Sequence, residues 1–140
     1  MTIGYWLLRP WRHVVDFSGR SPRIEYWLFQ LQTYALALLL ALFAGLFAEP
    51  GAPPNGLSDT LLLAAGLILV GSILPGLACA VRRLHDQNKP GIALLLGFIP
   101  IIGGFVLLFF FVTPGDEEEN EYGPNPLDPH GTAIVSEVFD

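Results

Sequence analysis

Two short runs place basic and acidic residues side by side at the edges of apolar stretches: Arg20, Arg23 and Glu25, then Arg82, Arg83, His85 and Asp86. Arginines with two carboxylates can form an ion-paired clamp, or they can offer guanidinium groups to an anionic headgroup or phosphate. A catalytic reading is weaker. His85 and Asp86 are adjacent, and neighbours on a helix project about 100° apart, so one does not orient the other as a general base. The single cysteine, Cys79, lies within an apolar run and reads as a small packing residue. His13, His85 and His130 are far apart, and no paired cysteine, paired histidine or Gly-rich phosphate motif is present. The expectation is a protein with no metal, no cofactor and no enzymatic activity.

The elements that must position these groups are apolar. Of 140 residues, 52% are hydrophobic and only 14% charged, against about a quarter charged in an ordinary soluble domain. The mean hydropathy is +0.51. Three runs, about 26–48, 60–81 and 91–112, contain no Lys, Arg, Asp or Glu. Each is long enough to cross a hydrocarbon core of about 30 Å as a helix. The pattern predicts an all-α membrane protein with three transmembrane helices, a membrane domain over 1–113 and an irregular acidic tail over 114–140. Pro100, Gly103 and Gly104 allow a re-entrant hairpin in the third run, but its length favours one kinked span. The first run is too long for a signal-peptide core and follows four arginines, so it is expected to stay in the mature protein.

All seven basic residues precede the first run or lie between the second and third. The positive-inside rule therefore predicts a cytoplasmic N-terminus and 82–90 loop, with the 49–59 loop and the tail on the opposite side. On that division the net charge of −6 separates into a basic face of +4 and an acidic face of −10. An acidic total disfavours nucleic acid as a partner.

Outside the spans, residues 3–17 alternate apolar Leu7, Leu8, Trp11, Val14 and Val15 with Arg9, Arg12, His13 and Asp16 at helical spacing. This predicts an amphipathic helix in the headgroup region, starting near Pro10. Ser21 is the expected N-cap of the first span, with Pro22 at its first helical position. The 49–58 loop is rich in Pro and Gly, and the tail is acidic then Pro-rich, so an extended segment docked through Tyr122 is expected. Within the spans, Ala37, Ala41 and Gly45, then Ser72, Gly76 and Ala80, then Ala93 and Gly97, form small-residue stripes for close helix packing. Pro75 should kink the second span.

Four motifs now stand in order: FSGRSPRIEYWLF from Phe17 to Phe29, RRLHD from Arg82 to Asp86 with Lys89 and Gly91, IPIIG from Ile99 to Gly103, and NEYGPNP from Asn120 to Pro126. Together they resemble the bacterial inner-membrane family known as domain of unknown function 805, over about residues 11–126. The resemblance implies a multi-pass bacterial inner-membrane protein and no particular activity. After RRLHD the family usually has Gly, Ser and an aromatic residue where this chain has Asn88, Pro90 and Ile92, which predicts a changed turn. Three roles follow: an interaction or accessory subunit that binds a protein partner or assembles with itself; a protein that binds anionic lipid or phosphate through the arginine cluster; and a small transporter or channel subunit. The last would have to rely on Gln30, Thr33, Tyr34 and Ser72, since no charge lies in mid-span. Membrane lipids are expected partners in every case.

Overall fold

The computed structural model describes residues 3–48 and 56–128, and most of these are helical. Helix α1 spans Ile3–Arg12, α2 Arg23–Phe47, α3 Gly56–Gly71 and α4 Ile73–His85. A 3₁₀-helix, Gly91–Phe98, and α5, Ile102–Val112, follow. Among the described residues, helix α2 and the nearly continuous pair α3–α4 are the two helices long and apolar enough to cross a membrane. At 1.5 Å per residue the 25 residues of α2 reach about 37 Å.

Helix α2 packs antiparallel along α3 and α4. Its contact stripe is Phe29, Thr33, Ala37 and Ala44, all buried, with Ala65 buried on α3. Ala41 is only partly covered. Gly45 is exposed, with nothing near the position of a Cβ, so this end of the predicted stripe does not pack. On α4, Ala80 is buried, and Gly76 meets the Phe29 ring at 3.3 Å from where its Cβ would lie. Ser72 forms the one-residue break between α3 and α4. Pro75 lacks the N–H that would bond the Gly71 carbonyl in a continuous helix, which explains why the break falls here.

The third apolar run is not one kinked span. The 3₁₀-helix leaves the end of α4, and α5 returns antiparallel beside it, so the run is a hairpin. Gly91 starts against Val81, and Gly97 faces Leu107. Three residues cause the reversal. Ile99 precedes a proline and is extended, with φ −79° and ψ 113°. Ile101 has φ 65° and ψ −64°, and the Ile102 N–H donates to the Pro100 carbonyl at 2.7 Å. That is a γ-turn of the rare strained kind. Gly103 then packs so closely on the Leu96 carbonyl that no Cβ fits between them.

Two further expectations are corrected. Helix α1 ends at Arg12 rather than Phe17, two residues after Pro10, which lies buried inside it rather than at its start and removes a backbone donor near its end. Helix α2 begins at Arg23, and Ser21 does not cap it. Its N–H donates to the Arg82 carbonyl at 2.9 Å, while its hydroxyl lies 3.4 Å from Cys79 Sγ. The turn after α4, where glycine is absent, is made by an asparagine. Asn88 takes φ 52°, the left-handed conformation that glycine favours and asparagine tolerates. Most of the predicted Pro-Gly loop, and residues 129–140 with His130, lie outside the described residues.

Candidate functional site: a buried arginine clasp

Two carboxylates organise the end of the bundle where α2 begins and α4 stops. Glu25, in the first turn of α2, is fully buried and accepts from Arg9 Nη1 at 2.5 Å and from Arg82 Nη2 at 3.2 Å. Asp86, at the C-terminal cap of α4, accepts from Arg20 Nε at 3.0 Å and from Arg83 Nη1 at 2.6 Å. Arg20, Arg82 and Arg83 are each at most 3% exposed. Four guanidinium groups therefore share two carboxylates, and the remaining donors must find other acceptors.

Backbone carbonyls supply them. The last carbonyls of a helix have no partner within it and carry partial negative charge. At the end of α5, Arg83 Nε donates to the Phe111 carbonyl at 3.3 Å, and Arg83 Nη2 to that of Thr113. Trp27 Nε1 also meets the Phe111 carbonyl at 3.3 Å, and Arg23 meets that of Val112 at 3.2 Å. The Gln87 amide donates to the Phe110 carbonyl. The clasp thus holds the returning arm of the hairpin by its C-terminus.

Arg20 holds the tail. Its Nη1 donates to the carbonyls of Glu118 at 2.7 Å and Gly123 at 3.2 Å, and its Nη2 to that of Asp116. The Asp116 N–H donates to the Asp86 carbonyl at 2.7 Å, and the Asn120 amide to the His85 carbonyl at 3.0 Å. Tyr122 stacks on the His85 ring, 3.8 Å between centroids and 7° from parallel. His85 Nδ1 lies 3.2 Å from the Gly19 carbonyl, which joins the α1–α2 linker to the same layer. Gly123, at φ +117°, closes the small turn that presents Tyr122.

These contacts overturn the expected placement of the tail opposite the arginines. Groups about 3 Å apart cannot lie on opposite sides of a bilayer, so residues 114–128 share the end of the bundle that carries Arg20 and Arg83. The reversal at Ile99–Ile101 is the cause. The basic and acidic faces also merge, since six carboxylates between Asp116 and Asp128 belong to this same end.

Of the seven residues expected in the cluster, Arg20, Glu25, Arg82, Arg83, His85 and Asp86 are buried together, and Arg23 sits on the rim. Arg9 was missed. It lies on the polar face of α1, and only the docking of α1 on α2 brings it to Glu25. Trp11 against Phe29, 5.4 Å between ring centroids, and the Gln32 amide on the Leu7 carbonyl at 2.9 Å fix that docking.

Burial pushes the Asp86 carboxyl above its ordinary value, against the pull of Arg20 and Arg83. The folded chain then binds this proton more tightly than the unfolded chain. Its contribution to stability is full below the ordinary carboxylate value and is lost as pH rises through the raised one. Asp16 is held low by the hydroxyl and N–H of Ser18, so its small contribution is present above the ordinary value and fades as pH falls. Among the described residues no group of three or more His, Cys, Asp or Glu is placed to hold a metal ion.

Fold and site together define a small helical protein with two membrane-length apolar helices and a buried clasp at one end that ties down a hairpin and a tail. The family described as "Protein of unknown function (DUF805)" matches residues 14–124, and the chain belongs to it. "Inner membrane protein YhaI" of Escherichia coli (strain K12) is 39% identical over 124 residues, which is 86% of this chain and 94% of that protein. "Inner membrane protein YhaH" of the same strain is 33% identical over 121 residues, 86% of this chain and 95% of its own length. No solved structure matches. The relatives' names and the two apolar helices support a place in the bacterial inner membrane.

Proposed function

We infer that this is a non-enzymatic integral inner-membrane protein that serves as an interaction subunit, and that the hairpin Gly91–Val112 is where a second polypeptide docks. One observation carries the reading. The turn Ile99–Ile101 has non-helical backbone and is exposed on this chain. Within hydrocarbon such backbone is tolerated only where protein buries it or where it lines a cavity. The 11 residues of α5 reach about 16 Å, half the thickness of a bilayer core of about 30 Å. With the clasp at the cytoplasmic surface, the turn lies near the midplane, ringed by the exposed side chains of Phe98, Ile101, Ile102 and Phe105. A partner chain covering the turn removes the mismatch. The clasp fits a structural role better than a headgroup site, since its guanidinium groups are already met by Glu25, Asp86 and main-chain carbonyls.

A photo-crosslinking residue at position 101, activated in intact cells, is expected to capture a discrete product whose mass identifies another copy or a different protein. A product absent at 101 while the protein purifies as a strict monomer in mild detergent overturns the reading. The orientation has its own check. Cys79 is fully buried, so a cysteine placed at exposed Glu118 provides a single reactive thiol. An impermeant thiol reagent should leave Glu118→Cys unlabelled in spheroplasts and label it in inverted vesicles; the reverse pattern puts the clasp on the periplasmic side.

A further inference from the structure

Between α1 and the tail lies a cavity of about 270 Å³, with Tyr5, Trp6 and Arg9 on one wall and Tyr122, Pro124 and Asn125 on the other. No carboxylate lines it. Two further cavities at this end of the bundle both carry Asp116 and Glu117 in their walls. The clasp behind the cavity joins four guanidinium groups to two carboxylates, a surplus of two positive charges. An anion drawn by that surplus meets less repulsion here than at either neighbour.

The lining has donors to spare and few free acceptors. Arg9 is the clasp's one accessible guanidinium, its side chain 20% exposed against at most 2% for Arg20, Arg82 and Arg83. Its Nη1 is spent on Glu25 at 2.5 Å. Its Nη2 reaches the Arg20 carbonyl only at 3.5 Å, outside the normal range, and its Nε meets no acceptor among the described residues. Nε and Nη2 form the side edge of the guanidinium, two parallel donors at the spacing of two phosphate oxygens. The indole N–H of Trp6, a residue 4% exposed, likewise meets no acceptor among the described residues. The acceptors beside them are engaged already, Asn125 Oδ1 by the Leu127 N–H at 2.9 Å and the Gly19 carbonyl by His85 Nδ1 at 3.2 Å. Only the phenols of Tyr5 and Tyr122 can serve either way.

We propose that this cavity binds the phosphate group of a phosphate ester, two of whose oxygens accept from Nε and Nη2 of Arg9. The inner edge of Arg9 stays on Glu25, so the clasp keeps its structural role. A lipid headgroup and a soluble ester share this chemistry, and Ile3 and Leu8, exposed on α1, give acyl chains an apolar path beside the site. The test separates the two sources. Neither depends on a partner at the hairpin.

The test uses the full chain in detergent micelles, with dioctanoyl phosphatidylglycerol as probe and native mass spectrometry as readout. One saturable adduct per chain is expected, and dioctanoylglycerol, which has the same chains without the phosphate, should be retained about tenfold less. Displacement by glycerol phosphate assigns a soluble ester; a lipid adduct that resists it assigns the headgroup. Pro124→Glu sets a carboxylate in the exposed wall without touching the clasp, and should weaken retention about tenfold. Pro124→Gln, of the same shape but neutral, should weaken it much less. Arg9→Lys keeps a positive charge for Glu25 but loses the fork, and should also cost about tenfold. Thr60→Glu adds the same charge at the far end of the bundle and should change nothing. The proposal is overturned by equal retention of the two lipids, by equal retention in wild type, Pro124→Glu and Arg9→Lys, or by the absence of a saturable adduct.

Discussion

Replacing Glu25 with Gln is expected to destabilise the fold by about 3–5 kcal/mol, the usual cost of removing one partner from a buried ion pair. Glu25 is fully buried and stands between Arg9 and Arg82. Glutamine keeps an acceptor of nearly the same shape but no charge, so the loss reports the stranded guanidinium groups rather than a cavity. Arg82 bears most of it. It is 1% exposed and its Nε already lacks a partner, whereas the side chain of Arg9 is 20% exposed and can turn toward water. Denaturant unfolding in detergent measures the effect, and Glu25→Gln combined with Arg82→Met should recover part of it. A loss under about 1 kcal/mol, with no recovery in the double variant, would show that the pair is not buried as described.

Gly103→Ala should have the next largest effect, about 3 kcal/mol at the upper end of overpacking costs. The added Cβ would overlap the Leu96 carbonyl, and backbone cannot rotate aside as a side-chain tip can. The hairpin must open, and its return arm carries the carbonyls that Arg83, Arg23 and Gln87 hold. Loosening should therefore reach the clasp and the tail, read as faster hydrogen exchange over 99–113 and 116–123. Gly104→Ala is the control. Nothing lies within 4 Å of its added methyl, and alanine favours helix over glycine by up to about 1 kcal/mol. Equal stability in the two variants would refute the close contact at Gly103.

The four motifs acquire a common meaning in three dimensions. FSGRSPRIE supplies Arg20, Ser21 and Glu25, RRLHD supplies Arg82, Arg83 and Asp86, and NEYGPNP supplies Asn120, Tyr122 and Gly123. All three meet in the clasp. IPIIG makes the reversal at the far end of the hairpin. It is separated from the clasp by the length of α5, yet without it the tail could not return. The reversal and the clasp are one device.

Composition and spacing were enough to specify the helical class, the first two of the three expected long apolar helices and the meeting of the Arg20 and Arg82 groups. Apolar length follows directly from bilayer thickness, and a charge at a hydrocarbon boundary needs a partner wherever it lies. They could not specify whether residues 91–112 cross once or fold back, because hydropathy has no direction. Pro100 and Gly103 carried the signal, but its meaning depended on the Leu96 carbonyl standing where only a glycine can approach. That packing contact, together with the turn at Ile99 and Ile101, decided the side of the tail. Likewise Arg9 joined Glu25 only because α1 lies against α2, a contact between apolar faces that no local spacing encodes. The sequence by itself determined which residues had to leave water; tertiary structure decided which of them would meet, since pairing over long separations depends on how the helices pack.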